Sequence, residues 1–175
     1  MDDRIRKKAE KIIGIILDVD GVMTDGSITL DAHGVETKTF HVRDGHGIKL
    51  AQRAGLRFAI ITGRESPVVN VRARELGIEE VFQGAKNKIE AYDEVLRKWG
   101  LTDKEVAYIG DDLIDLPIFR RSGLSAAVAD ADPETREQAD LILSHPGGRG
   151  AVREFIEIIL KTQNKWKEVT ERYYS

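Results

Sequence analysis

The chain has 175 residues and no cysteine. That absence excludes disulfides, thiolate nucleophiles, iron–sulfur clusters and cysteine-ligated zinc together. Proline is scarce, with four residues, and no repeat, low-complexity tract or linker interrupts the sequence. No apolar run approaches the ~20 residues that span a bilayer. Met1 to Lys11 is charged throughout and lacks the apolar stretch of a signal peptide. An excess of positive charge is missing as well: 27 basic residues stand against 30 acidic ones, for a net charge of −3. No global field would hold a nucleic-acid backbone. These absences lead to the expectation of a soluble, cytoplasmic protein with neither nucleic acid nor membrane as partner.

What is present is a foldable composition, 41% hydrophobic and 33% charged, at a length that fits one domain spanning 1–175. Short continuous apolar runs recur and end in polar residues. Ile12 to Leu17 stops at Asp18, Phe58 to Ile61 at Thr62-Gly63, and Val106 to Ile109 at Gly110-Asp111-Asp112. Leu124 to Val128 and Leu141 to Leu143 follow the same design, with Val81-Phe82 as a weaker candidate. Such runs suit strands buried on both faces. Helices are expected between them over Ile48 to Arg53, Pro67 to Leu76, Lys86 to Trp99, Asp115 to Arg121 and Ala151 to Lys165. The alternation predicts right-handed βαβ units and an α/β, doubly wound, mostly parallel sheet. One insertion, at about 27–43, breaks it. Ile28 to Leu30 and the period-two run Val35 to Val42 flank Asp31-Ala32-His33-Gly34 and read as a β-hairpin. The segment Trp166 to Ser175 is polar with aromatics and reads as a frayed tail or a docking arm.

Ligands of open α/β sheets sit outside the carboxyl ends of the strands. Three strands there deliver Asp18-Val19-Asp20, Thr62-Gly63-Arg64 and Asp111-Asp112 with Asp115, while Lys88 opens a helix. Carboxylates brought that close need a cation or protons between them. An all-oxygen donor set favours Mg²⁺ over zinc. Of two acids one residue apart, one can be a nucleophile and the other a general acid and then a base. Thr62 and Lys88 would supply a hydroxyl and a cation to phosphoryl oxygens. Taken one at a time these residues also have plainer uses: Asp112 and Asp115 as helix-start acids, Arg43, Lys49 and Arg72 as surface charges, and Arg149 as part of a glycine-rich loop.

The set Asp18-Val19-Asp20-Gly21-Val22, Thr62-Gly63-Arg64, Lys88 and Gly110-Asp111-Asp112-x-x-Asp115 resembles the four motifs of the haloacid dehalogenase-like phosphatases, in order across nearly the whole chain. Val42 to Ile48 and Gly147 to Glu154 extend the likeness to the small, capless branch that acts on phosphorylated 3-deoxy-ulosonic acids of lipopolysaccharide-sugar synthesis. The resemblance implies a Mg²⁺-dependent phosphatase in which Asp18 is the phosphorylated nucleophile and Asp20 the acid and base. It implies metal ligation by Asp18, the backbone carbonyl of Asp20 and Asp111, with Asp112 and Asp115 behind them. Thr62 and Lys88 would hold the transferring group. His41, Val42, Arg43, Asp44 and Gly45, with Lys49, Gly63, Arg64 and Arg72, would meet the acidic sugar. It further implies a homotetramer with shared sites, which agrees with a chain too short to carry its own lid. A nine-carbon ketoacid phosphate is the alternative substrate. A receiver-like phosphorylatable domain is the alternative class, although its phosphoacceptor would lie on a middle strand.

Overall fold

The structure is a computed structural model and describes residues 2–174. Its core is a six-stranded sheet in which every pairing is parallel, ordered β5-β4-β1-β6-β7-β8. The strands are β1 (Gly14–Leu17), β4 (Arg57–Ile61), β5 (Glu80–Phe82), β6 (Val106–Gly110), β7 (Leu124–Ala127) and β8 (Leu141–Ile142). All four residues of β1 are buried, as a strand flanked on both edges and covered on both faces requires. Leu17 lies opposite Ile60 of β4 and Ile109 of β6. From β1 the chain winds outward first to one side and later to the other. The strand order therefore reverses at β1, where an α/β sheet opens its ligand crevice.

Eight helices flank the sheet among the described residues: α1 (Asp3–Ala9), α2 (Val42–Arg53), α3 (Pro67–Leu76), α4 (Lys88–Trp99), α5 (Leu116–Phe119), α6 (Pro133–Gln138), α7 (Ala151–Thr162) and α8 (Trp166–Thr170). Pro67 begins α3 and Gly77, at φ 69°, ends it. The Asn87 side chain caps α4, accepting from the Ile89 amide at 3.3 Å. Among the described residues no helix is long and apolar enough to cross a membrane.

Several boundaries depart from the sequence reading. Helix α2 begins at Val42, six residues before the expected Ile48. Gly45 faces Arg72 and Leu76 of α3, and Gly47 lies where α2 packs on α7. A Cβ on Gly47 would lie 2.9 Å from Cδ and 3.4 Å from Cα of Arg153, so this glycine serves close helix packing rather than a turn. The hairpin shrinks accordingly to β2 (Thr29–Leu30) and β3 (Glu36–Thr37), paired antiparallel with Thr29 opposite Thr37. Its period-two pattern persists to Phe40, but the inward members are Glu36, Lys38 and Phe40. Charge there points inward. Helices α1 and α6 were unforeseen because neither segment carries a clear apolar stripe. Helix α5 is shorter than Asp115 to Arg121, with a single 3₁₀ turn at Leu113–Asp115 leading into it, and α7 stops at Thr162. The C-terminal segment docks. Tyr173 Oη accepts from Arg53 Nη1 at 2.9 Å and lies 3.0 Å from His46 Nε2, both on α2. Ser175 lies outside the described residues.

Candidate active site

Asp18 follows the last residue of β1 and is buried. Its Oδ1 accepts from the Val19 amide at 2.7 Å, and its Oδ2 lies 2.7 Å from Lys88 Nζ. Lys88, the first residue of α4, is buried too. Its ammonium also donates to Asp115 Oδ1 at 2.6 Å and to Tyr108 Oη at 3.2 Å. Asp115 is completely buried and saturated. Oδ1 accepts from Lys88 and from Tyr108 Oη (2.6 Å), and Oδ2 accepts from the amides of Asp111 (2.9 Å) and Asp112 (3.3 Å). The loop after β6 is thereby tied down, and Asp111 is held facing Asp18. Tyr108, inside β6, escaped the sequence reading. A hydroxyl-tipped residue in an otherwise apolar strand two positions before Gly110-Asp111-Asp112 was the available signal.

Asp18, Asp111 and Asp115 each place a carboxylate oxygen within 4.8 Å of the others. Burial and mutual repulsion make that arrangement costly for anions. Desolvation lifts Asp18 to about 7, against the pull of Lys88 and with the push of Asp115. Desolvation, then Asp18 and Asp115, lift Asp111 to about 8. Burial opposes the charge on Lys88, but Asp18 and Asp115 outweigh it and hold the ammonium above its usual range. Two crowded carboxyls that keep protons near neutrality, with only oxygen donors beside them, fit a hard divalent cation. Asp115 has no oxygen to spare for it, so Asp18 and Asp111 are the side chains that would bind it.

Gly21 shows how tightly the loop after β1 is drawn against this cluster. Its φ is +85°, and a Cβ there would stand 2.0 Å from Asp111 Oδ2. Asp20 faces the hairpin. Lys38 Nζ donates to its Oδ1, and Arg64 Nε lies 3.7 Å from its Oδ2. Lys38 and Arg64 both contact Glu36 as well. Neither Glu36 nor Lys38 was foreseen as a site residue; their inward places in the period-two run were the signal. Thr62 is buried at the end of β4, its amide bonded to Phe82 O and its carbonyl to the Ala85 amide. Gly63 is next to it, close to Ile114.

The structure thus gathers Asp18, Asp20, Thr62, Gly63, Arg64, Lys88, Asp111, Asp112 and Asp115 at the carboxyl ends of β1, β4 and β6. It engages part of the expected sugar-binding strip elsewhere. Asp44 accepts from the Gly150 and Arg153 amides (3.3 and 2.8 Å) at the start of α7. Lys49 donates to Leu76 O at 2.7 Å, at the end of α3. Arg72 pairs with Glu75 at 2.8 Å and stacks on Phe40. Gly45 is buried beneath Arg72. His41 precedes α2, its Nδ1 3.7 Å from Asp44 Oδ2, while Val42 and Arg43 are exposed. His41 and Arg43 line a cleft with Arg149 and Arg153.

Comparison with known proteins gives the family and the fold. Residues 66–156 match the haloacid dehalogenase-like hydrolase family. The chain is 46% identical over 164 residues to 3-deoxy-D-manno-octulosonate 8-phosphate phosphatase KdsC of Escherichia coli strain B, covering 94% of this chain and 87% of that one. It resembles the crystal structure of the Yersinia pestis phosphatase of the same name, with TM-score 0.93, 45% identity and coverage of 94% and 89%. It also resembles the Moraxella catarrhalis phosphatase solved in complex with a magnesium ion, a phosphate ion and KDO, with TM-score 0.96, 40% identity and 99% coverage of each chain.

Proposed function

The chain belongs to the haloacid dehalogenase-like hydrolases, and from that membership we propose that it is a Mg²⁺-dependent phosphomonoesterase that converts 3-deoxy-D-manno-octulosonate 8-phosphate to the free sugar acid and phosphate. The observation that carries the reading is the burial of Asp18 against Lys88, with Asp111 beside it, at the strand where the sheet order reverses.

Asp18 attacks phosphorus. Its oxygen–phosphorus bond forms as the bond to the sugar oxygen breaks, and Asp20 gives that oxygen a proton. Water then attacks the aspartyl phosphate, Asp20 takes its proton, and the bond to Asp18 breaks, returning both residues to their starting state. Lys88 and Thr62 bind the phosphoryl oxygens. Arg64 and Arg43 meet the acidic sugar. Asp18, the Asp20 carbonyl and Asp111 would hold Mg²⁺, which would supply positive charge that permits an anionic nucleophile to approach an anionic phosphate. Asp115 and Tyr108 keep Lys88 and the Asp111 loop in place, and Asp112 stands at the turn behind them. The whole chain forms one catalytic domain, with its hairpin inserted and its C-terminal arm docked. A cytoplasmic homotetramer with shared sites completes the proposal, its association supported by the exposed side chains of Ile28, Leu30 and Val35 on the hairpin.

Phosphate release from the sugar 8-phosphate tests it. Wild type with Mg²⁺ should turn over, and Asp18→Asn should be roughly 10⁴-fold slower or worse, as for loss of other nucleophiles. A wild-type rate no higher than the variant's refutes the reading. Higher kcat/KM for a nine-carbon ketoacid phosphate would reassign the substrate.

A further inference from the structure

Asp18 and Asp20 are held in different ways. Asp18 is fixed by its own loop and by Lys88. Among the described residues Asp20 accepts from no backbone amide; its carboxylate is held by two cations from other elements. Lys38 reaches Oδ1 from the segment after β3, and Arg64 stands 3.7 Å from Oδ2. The Lys38 side chain is 1% exposed, although it comes from a hairpin whose paired residues are largely exposed. Burying an ammonium costs several kcal/mol unless anions compensate it. Here Asp20 and Glu36, 3.4 Å away, provide them. Nothing in the packing of so small a hairpin requires a buried lysine.

We propose that Lys38 is a positioning residue for the reaction. It grips one oxygen of Asp20 and so fixes the plane of the carboxyl, leaving an oxygen edge turned to the sugar oxygen and, later, to water. Glu36 holds Lys38 and Arg64 in register with each other. The hairpin thereby reaches into the chemistry through one side chain. This rests on the assignment of Asp20 as acid and base, and it assigns Lys38 no proton of its own.

The test separates proton delivery from general damage. Leaving-group release in the first turnover is compared for the sugar 8-phosphate, whose alkoxide needs a proton, and for p-nitrophenyl phosphate, whose phenolate leaves without one. Lys38→Met should slow the sugar phosphate about 30-fold or more, within the range that general acid–base catalysis supplies, yet change the aryl ester no more than about threefold. Asp20→Asn should show the same selectivity. Lys38→Arg should recover most of the loss, and Lys38→Gln serves if the methionine variant does not fold. Equal losses on both esters, or no loss on either, overturn the proposal. A wild type inactive on both esters would instead refute the phosphatase reading itself.

Discussion

Asp18 and Asp111 are each raised because the fold removes water from carboxylates that also repel one another. The consequence for stability has a definite sign. Unfolded, both ionise near the ordinary value of 3.8; folded and free of cation, they hold protons to about 7 and about 8. Across that window the unfolded state binds fewer protons, so stability is greatest below the ordinary value and is lost as pH rises through the folded values. In chelator, the melting temperature should fall between pH 5 and pH 9. Mg²⁺ should raise it more at pH 9 than at pH 5, because at low pH it must displace protons. An equal Mg²⁺ effect at both values, by calorimetry, would contradict this account. At this scale the sequence was most readable where a residue ends an apolar run, as Asp18, Thr62 and Asp111 do. It was least readable where chemistry enters through the fold. Tyr108 is hidden in a strand of apolar residues, and Lys38 comes to Asp20 across 18 positions.

Helices α2 and α7 illustrate how a conspicuous motif can serve an element. The resemblance assigns His41 to Gly45, at the start of α2, to the acidic sugar. In the structure Asp44 caps α7 from a distance of more than a hundred residues, satisfying the amides of Gly150 and Arg153. Gly47, two residues further along α2, lets the two helices touch. Such caps lie outside local pattern rules, because donor and acceptor are far apart in the chain. Asp44→Ala should destabilise the protein by about 1–2 kcal/mol, the usual cost of a lost cap, measured by urea unfolding. It should leave KM within about twofold, too small a shift for a lost charged contact to substrate. A large KM increase at full stability would return Asp44 to the sugar site. The strands were easier to read than the helices, since a β-strand buried on both faces announces itself by composition, whereas α1 and α6 depend on contacts their sequences do not display.

Across the whole molecule the hairpin is the anomaly. Ile28, Leu30 and Val35 are 57%, 58% and 58% exposed, in and just before a ladder of two residues per strand that would be marginal alone. Joined to copies of itself it would bury this surface. If the proposed tetramer forms through this surface, replacing Ile28 and Leu30 by serine should leave monomers in light scattering at micromolar protein, with the far-ultraviolet dichroism retained. A wild type that is already monomeric would refute the tetramer. The fold class was legible because alternation of strand and helix is a long-range rhythm; the small extent of the hairpin was not, because its alternation runs on beyond its pairing. The central position of β1 has a further consequence for how the protein is made. Strand β1, which ends at Asp18, leaves the ribosome before its two neighbours, β4 and β6, which follow some forty and ninety residues later. The loop after it is closed only when Gly147 and Gly148 pack on Gly21 and Thr24. During synthesis that loop therefore cannot close before residues 147–148 have emerged, and Lys88 precedes Asp111 and Asp115, so the ammonium is present before those carboxylates can join Asp18.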